Sequence, residues 1–142
     1  MDVRALRSRA ESGDAIAQAI VGICYLDGLD VTVNYADAFR FLSAAAAKGL
    51  PRAIVNLARM YEHGLGTVRD TTRAIQLYDK AASAGEFLAQ ISLGRIYARG
   101  LGGGVDGAMA RKWYSAALAQ AERVDADDLL EEARTYLAAN PC

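Results

Sequence analysis

A period of 36 residues is the feature that most limits how this chain can fold. The segments CYLDGLD, MYEHGLG and IYARGLG recur at this spacing, so that Tyr25, Tyr61 and Tyr97 stand at equivalent positions. No insertion breaks the register. Self-similarity at a fixed period of about 20 to 50 residues is typical of repeat proteins, in which each unit packs on its neighbours. The sequence therefore predicts three consecutive copies of one small structural unit.

Each copy has the cap and turn residues of a helix–turn–helix unit. In the middle copy, Pro51 and Gly64 favour the start and the end of a first helix, here called helix A, over about 51–63. Asp70 is a favoured N-cap residue for a second helix, helix B, over about 71–84. Only two prolines are present and alanine is abundant, which also favours helix. The chain is therefore predicted to be all-α.

The two ends of the chain depart from the repeat, as the ends of a stacked array must. The expected arrangement is a single domain, 1–142, with an N-terminal capping helix at 3–13, repeats at 15–50, 51–86 and 87–122, and a C-terminal capping helix at 126–139. Asp125 is expected to cap that last helix, and helix B of the third copy is expected to run on to about Arg123. The polar outer side of the last helix is predicted to consist of Asp127, Asp128, Glu131 and Glu132.

Three glycines late in the chain, Gly102, Gly104 and Gly107, have the spacing of a dinucleotide-binding turn. That fingerprint requires a strand before the glycines and a helix after them. Here the glycines join helix A to helix B of the third copy, and the equivalent turns of the other copies lack the full set. We therefore interpret the stretch as a flexible repeat turn and expect no cofactor.

The repeated unit resembles the Sel-1-like repeat, a relative of the tetratricopeptide repeat. The pattern that carries the resemblance is A-x3-L-[GA]-x2-Y-x2-G-x-G, followed by D-x3-A-x2-[WYL]-Y-x2-AA-x2-G. In the middle copy its residues are Ala53, Leu57, Ala58, Tyr61, Gly64, Gly66, Asp70, Ala74, Tyr78, Ala81, Ala82 and Gly85. The match covers about residues 15–122, with Asp30 in place of the second loop glycine in the first copy. The resemblance implies an α/α superhelical solenoid of three 36-residue helix–turn–helix repeats, bacterial in type, whose A helices line a concave groove.

Charge and composition argue against several classes of partner and location. The formal net charge is −1, which gives no field that favours nucleic acid. The charged start of the chain lacks the apolar segment of a secretory signal, and no run approaches the roughly 18 apolar residues of a membrane helix. Cys24 and Cys142 are too few for an extracellular scaffold and are expected to lie too far apart for a disulfide. We expect a cytoplasmic protein that binds neither nucleic acid nor membrane.

No constellation of residues predicts catalysis or metal binding. His63 is the only histidine, and the adjacent Glu62 gives poor spacing for metal ligands. Cys24 lies in an apolar helix, and its equivalents in the other copies are Met60 and Ile96, which indicates packing rather than a nucleophile. We therefore expect no enzyme activity, no catalytic residues and no bound metal.

The predicted partner site is the stripe of the three A helices opposite the repeated tyrosines. Its candidate residues are Ile16, Ile23, Leu26, Arg52, Val55, Arg59, His63, Leu88, Ile91, Arg95 and Arg99. The first A helix is apolar nearly all round, whereas arginines cluster on the next two. Arg59 and Arg95 are equivalent and are expected to stack side by side, either as the basic floor of a groove or as ordinary charges paired with Glu62 or Asp27. A groove with an apolar wall and a basic floor suits an acidic peptide that carries apolar anchors.

The function expected from the resemblance is that of a protein–protein interaction module, an adaptor, regulator or scaffold that binds a partner protein or peptide in the concave groove. One alternative is an immunity protein that neutralises a toxin. Another is a self-associating structural unit, in which the apolar first A helix makes a homodimer.

Overall fold

The computed structural model describes residues 2–141, which contain helices and turns but no strand. The helices are α1 (Val3–Glu11), α2 (Ala15–Asp27), α3 (Tyr35–Ala47), α4 (Pro51–His63), α5 (Thr71–Ser83), α6 (Phe87–Arg99), α7 (Gly107–Leu118) and α8 (Asp127–Ala139). Repeat one consists of α2 and α3, repeat two of α4 and α5, and repeat three of α6 and α7. The prediction of an all-α solenoid of three helix–turn–helix repeats with additional terminal helices is confirmed.

The N-caps predicted for the three B helices are formed. The side chains of Asn34, Asp70 and Asp106 each accept a hydrogen bond at 3.0 Å from the backbone N–H three residues later. Each A helix ends in a left-handed glycine, and these residues are Gly28, Gly64 and Gly100, with φ of 70°, 68° and 68°. A side chain at such a φ is costly, so the caps explain why glycine recurs at this place in the period.

Two helix ends differ from the prediction. Helix α7 ends at Leu118 rather than near Arg123, because the following amides bond to carbonyls three residues back and the chain leaves the α-helix in successive turns. Asp125 is not the N-cap of α8; that position is Ala126, and no side chain caps it. The acidic residues of the first turn of α8 favour the helix start through the dipole instead.

Helices of the same repeat approach closely where the sequence carries glycine. A Cβ atom on Gly22 of α2 would lie 2.6 Å from Cγ of Leu42, and one on Gly94 of α6 would lie 2.9 Å from the Tyr114 ring. Ala58 occupies the equivalent position in repeat two. Glycine at this position therefore leaves room for Leu42 in repeat one and for the Tyr114 ring in repeat three.

The chain divides into two compact units, the first up to Lys80 and the second from Ala81. Buried apolar residues in the core of the first unit are Val3, Ala10, Ala17, Val21, Cys24 and Phe41. Those of the second unit are Phe87, Ile91, Tyr114, Ala117, Leu130 and Ala133. The terminal helices α1 and α8 thus each contribute to one core. Cys142 lies outside the described residues, so the absence of a disulfide with Cys24 stays a prediction.

Buried glutamines make the same contacts in the two units. Gln18 donates its amide N–H to the Ala10 carbonyl, and Gln90 donates to that of Ala82, at 3.1 and 3.2 Å. The Gln90 Oε1 atom in turn accepts from Gln120, which follows α7, at 2.8 Å. Each buried amide thereby finds the partners that its burial requires.

None of the helices in residues 2–141 combines the length and the apolar character needed to cross a lipid bilayer.

Candidate functional site

An apolar concavity of the first unit lies beside α2. Its volume is about 360 Å³. The lining residues are Ile16, Ala19, Ile20, Ile23 and Cys24 of α2, Leu29 of the following turn, Leu50, and Pro51 and Arg52 at the start of α4. This set is called the α2 pocket below. Arg52 is its only charged member, so the wall is built almost entirely from aliphatic carbon.

The pocket exists because α2 has apolar residues on more than one face. One face packs into the core through Ala17, Val21 and Cys24, which are all at most 1% exposed. The other face carries Ile16, whose side chain remains 64% exposed. A helix that is apolar all round is either buried or binds something, and α2 is only half covered within its unit.

Arg52 lies at the mouth of the α2 pocket and is exposed. Among residues 2–141 its guanidinium has no ion pair or side-chain hydrogen bond. No side chain caps the first turn of α4, in which Arg52 lies. The positively charged guanidinium of Arg52 therefore lies beside an aliphatic wall, and its N–H groups are available to bind an anion.

Arg59 is engaged within the first unit. Its guanidinium donates to Oδ1 of Asp27 at 3.3 Å and to Oδ1 of Asn56 at 2.7 Å. The alternative in which this arginine is paired with Asp27 is therefore the one that the structure supports. Arg59 is half-buried, so it offers a partner less open charge than Arg52 does.

Arg95 forms a bidentate ion pair with a carboxylate of α8. Its Nε and Nη2 atoms lie 3.1 and 2.7 Å from the two oxygens of Glu132. The Tyr114 hydroxyl donates to the same carboxylate at 2.7 Å. Glu132 was expected on the outer side of its helix, and this expectation is wrong, because α8 turns Glu132 towards α6 and α7. The arginine and the tyrosine hold it there.

This cluster shifts the pKa values of Tyr114 and Glu132. Burial, followed by the hydrogen bond to Glu132, raises the pKa of the Tyr114 hydroxyl, so that it stays a donor. Burial also acts to raise the pKa of Glu132, but hydrogen bonds from Arg95 and Tyr114 outweigh it and leave that pKa below its ordinary value. Glu132 is thus a carboxylate at neutral pH, and the cluster fastens α8 to repeat three.

Arg99 lines a second concavity, which lies within the second unit and has a volume of about 630 Å³. Its other lining residues are Ala98, Tyr114, Asp128, Glu131, Glu132, Thr135 and Tyr136. The three carboxylates of α8 outnumber the single arginine, so this surface is not basic as the sequence suggested.

Three of the predicted stripe residues have no exposed surface to offer. Leu26 is 4% exposed, and Val55 and Ile91 are each 2% exposed. Their expected exposure is wrong, because an A helix is covered by neighbouring helices on more than the face that carries its tyrosine. Leu88 at 44% remains accessible, and so does His63, whose Nε2 atom lies 3.6 Å from Glu62.

Sequence reasoning missed three residues that complete the α2 pocket. Leu29, Leu50 and Pro51 lie outside the A-helix stripe, in a turn or at a helix start. Leu50 carries the one signal that could have found it. The equivalent residues are Asp14 and Glu86, so an aliphatic residue replaces a carboxylate only at this junction.

No reactive centre accompanies the pocket. Within the described residues, no group of three or more histidine, cysteine or acidic side chains is placed to hold a metal ion. Burial raises the pKa of the Cys24 thiol, and the charges of Asp30 and Asp27 act in the same direction. A thiol is far less nucleophilic than a thiolate, so Cys24 serves as part of the apolar wall.

Comparisons with known proteins agree with the geometry. The Sel1 repeat family model matches residues 15–50, 51–86 and 88–121. A Sel1 repeat protein from Oxalobacter formigenes is 37% identical with a TM-score of 0.74, over 94% of this chain and 98% of that one. The protein c5321, a protective antigen of uropathogenic Escherichia coli strains with an SLR fold, is 30% identical with a TM-score of 0.68. That match covers 84% of this chain but spans only 33% of the antigen. A comparison with curated proteins found no match.

Proposed function

The chain belongs to the Sel1 repeat family, whose members are typically non-enzymatic modules for protein–protein interaction, and we propose that it binds a partner protein through the α2 pocket. The observation that carries the proposal is the aliphatic concavity of about 360 Å³ left open on α2, with Ile16 64% exposed beside it. Exposed apolar surface on a soluble domain marks an interaction site when it is concave and rimmed by polar groups.

The chemistry of the pocket favours an acidic partner segment with apolar anchors. Ile16, Ile20 and Ile23 offer aliphatic surface for an anchor side chain. Arg52 supplies a charge that has no ion pair within residues 2–141, which suits a carboxylate on the same segment. The role of adaptor, regulator or scaffold follows from holding such a segment, and the cytoplasmic location expected from the sequence stays a prediction.

The rest of the predicted stripe contributes less to this proposal. Arg59 and Arg95 are already paired with Asp27 and Glu132, so a partner would have to displace a carboxylate to reach either one. Ion pairs that must first be broken return little net binding energy. The partner site is therefore proposed on the first unit, at the α2 pocket.

Affinity capture with two matched variants tests the proposal. Ile16→Glu places a charge on the open face of α2, and Val68→Glu makes the same change at an 84% exposed residue of the turn before α5. Both side chains are exposed, so both variants should fold as the wild type does, which circular dichroism checks. We expect a partner that wild type and Val68→Glu retain and Ile16→Glu loses.

A partner captured equally by all three proteins, and bound equally by the purified variants in calorimetry, would move the site away from α2. Self-association is a separate outcome of the same variants. If wild type sediments as a dimer and Ile16→Glu as a monomer, the α2 face joins two copies of the chain instead of holding a partner.

A further inference from the structure

The α2 pocket departs from the repeat pattern at two positions, and both departures favour a carboxylate ligand. At the position of Arg52 the other repeats carry Ile16 and Leu88, so the repeat architecture does not require a cation there. At the position of Leu50 they carry Asp14 and Glu86. Asp14 caps α2 and pairs with Arg9 at 2.7 Å, and Ala45 stands at the position of Arg9 one repeat later. Leu50 therefore adds aliphatic surface to the pocket, where a carboxylate would repel an anionic ligand of Arg52.

From this we propose that the α2 pocket binds the C-terminal residue of the partner, with an aliphatic side chain on the isoleucine wall and the free α-carboxylate paired with Arg52. This inference rests on the proposed function and names the part of the partner that is bound. A C-terminal leucine, isoleucine or valine carries the aliphatic side chain and the free carboxylate on one residue, so a small site can bind both groups.

The wall of the pocket disfavours the middle of a chain. Apart from Arg52, its lining side chains are aliphatic carbon and the buried thiol of Cys24. A segment passing through would press amide groups against this surface without hydrogen-bond partners, and leaving a desolvated amide unpaired is unfavourable. A chain end brings fewer amides and replaces one of them with the anion that Arg52 needs.

The size of the pocket agrees with one anchored residue. Sites for small molecules have volumes of roughly 300–1,000 Å³, and the α2 pocket, at about 360 Å³, lies at the low end of that range. The uncapped start of α4 adds the positive end of its helix dipole near Arg52. That contribution is secondary, because Arg52 carries the full charge.

Nuclear magnetic resonance of isoleucine methyl groups in the full chain gives a direct test. Ile16, Ile20 and Ile23 report on the pocket, and Ile91 and Ile96 of α6 serve as internal controls. The probes are acetylated octapeptides of sequence GSGSGSGL with a free C-terminal acid, the same peptide with a C-terminal amide, and the peptide lengthened by two serines after the leucine.

We expect the free-acid peptide to shift the methyl signals of Ile16, Ile20 and Ile23 and to leave those of Ile91 and Ile96 in place. Amidation or lengthening should weaken binding about tenfold or more, since a hydrogen bond to a charged group contributes roughly 1.5–3 kcal/mol. Arg52→Gln should bind the acid and the amide equally weakly, and Arg52→Lys should restore part of the preference. Arg69→Gln, which removes an exposed arginine of the same unit, is the control for net charge.

Equal affinity of wild type for acid and amide would overturn recognition of the chain end, and so would the absence of any methyl shift. Either result leaves the proposed function to its own test, because the capture with Ile16→Glu and Val68→Glu does not depend on a free carboxylate. A third outcome separates the two proposals. If Ile16→Glu loses the partner, but the wild type binds that partner equally well after the partner's C-terminus is blocked, the α2 pocket remains the docking site and recognition of the chain end is excluded.

Discussion

Tyr114 of α7 donates a 2.7 Å hydrogen bond to Glu132 of α8, where the equivalent Tyr78 donates one of the same length to Glu62 of its own repeat. The position that corresponds to Glu62 in repeat three is Ala98, which has no acceptor. The last helix therefore supplies the carboxylate that the third repeat lacks. This exchange gives α8, a helix outside the repeat pattern, a specific polar contact with α7 of the same unit.

Removing the Glu132 charge should loosen α8. We expect Glu132→Gln to lower the free energy of unfolding by roughly 1–2 kcal/mol, because hydrogen bonds to charged groups contribute about 1.5–3 kcal/mol and this one is partly exposed. Amide hydrogen exchange should increase most in α8. Glu131→Gln is the matched control, since the Glu131 side chain is 70% exposed and should change stability little. Equal effects of the two changes would contradict the role given to Glu132.

The same cluster should make stability depend on pH in the acidic range. The folded-state pKa of Glu132 is lowered, so its contribution is complete above the ordinary glutamate pKa of about 4.3 and is lost as the pH falls through the folded value. The difference in urea midpoint between wild type and Glu132→Gln should therefore shrink as the pH is lowered below about 4. A difference that stays constant down to the lowest pH at which the chain folds would show that Glu132 is not the titrating group.

The equivalent arginines should respond differently to charge reversal. Arg95→Glu brings a second carboxylate against Glu132, in a pair whose side chains are 33% and 30% exposed, and should destabilise the second unit. Arg59→Glu disturbs a more exposed pair with Asp27 and should cost less than about 1 kcal/mol. Thermal unfolding of the two single variants compares them directly. A larger loss from Arg59→Glu would reverse this ranking.

Gly94→Ala should destabilise the chain although alanine is the better helix former. The added Cβ would lie 2.9 Å from the Tyr114 ring, and overpacking of this kind costs about 1–3 kcal/mol. The gain of about 1 kcal/mol in helix propensity offsets this cost fully only at the lower end of that range. Ala58→Gly, the reverse change at the equivalent position of repeat two, should also destabilise the chain, because it loses both helix propensity and a buried methyl group. Chemical denaturation measures both, and a more stable Gly94→Ala protein would show that Tyr114 gives way.

Local features of the fold could be read from the sequence because they depend on neighbours in the chain. The period placed Asn34, Asp70 and Asp106 as N-caps, and each makes the expected bond. Burial depended on packing partners that a helical face does not reveal. Val55 and Ile91 share a face with exposed residues and are nevertheless covered.

The candidate site was likewise only partly predictable from the sequence. Ile16, Ile23 and Arg52 were selected from the A-helix stripe, and the structure brings them together in one pocket. Leu50 and Leu29 join that pocket only because the turns fold back beside α2, which a stripe on a single helix cannot indicate. Glu132 was predicted to face solvent because most acidic residues do. It instead accepts hydrogen bonds from Arg95 and Tyr114 on the neighbouring helices.

The polar contacts between helices close short stretches of chain. Gln90 and Gln120 are 30 residues apart, and Arg95 and Glu132 are 37 apart. Proteins whose contacts are near in sequence fold quickly, because little chain entropy is lost before each contact forms. During synthesis, a pair of helices of this kind can close as soon as the next one or two helices have left the ribosome. Helices held by such contacts can therefore pack in the order in which they are synthesised.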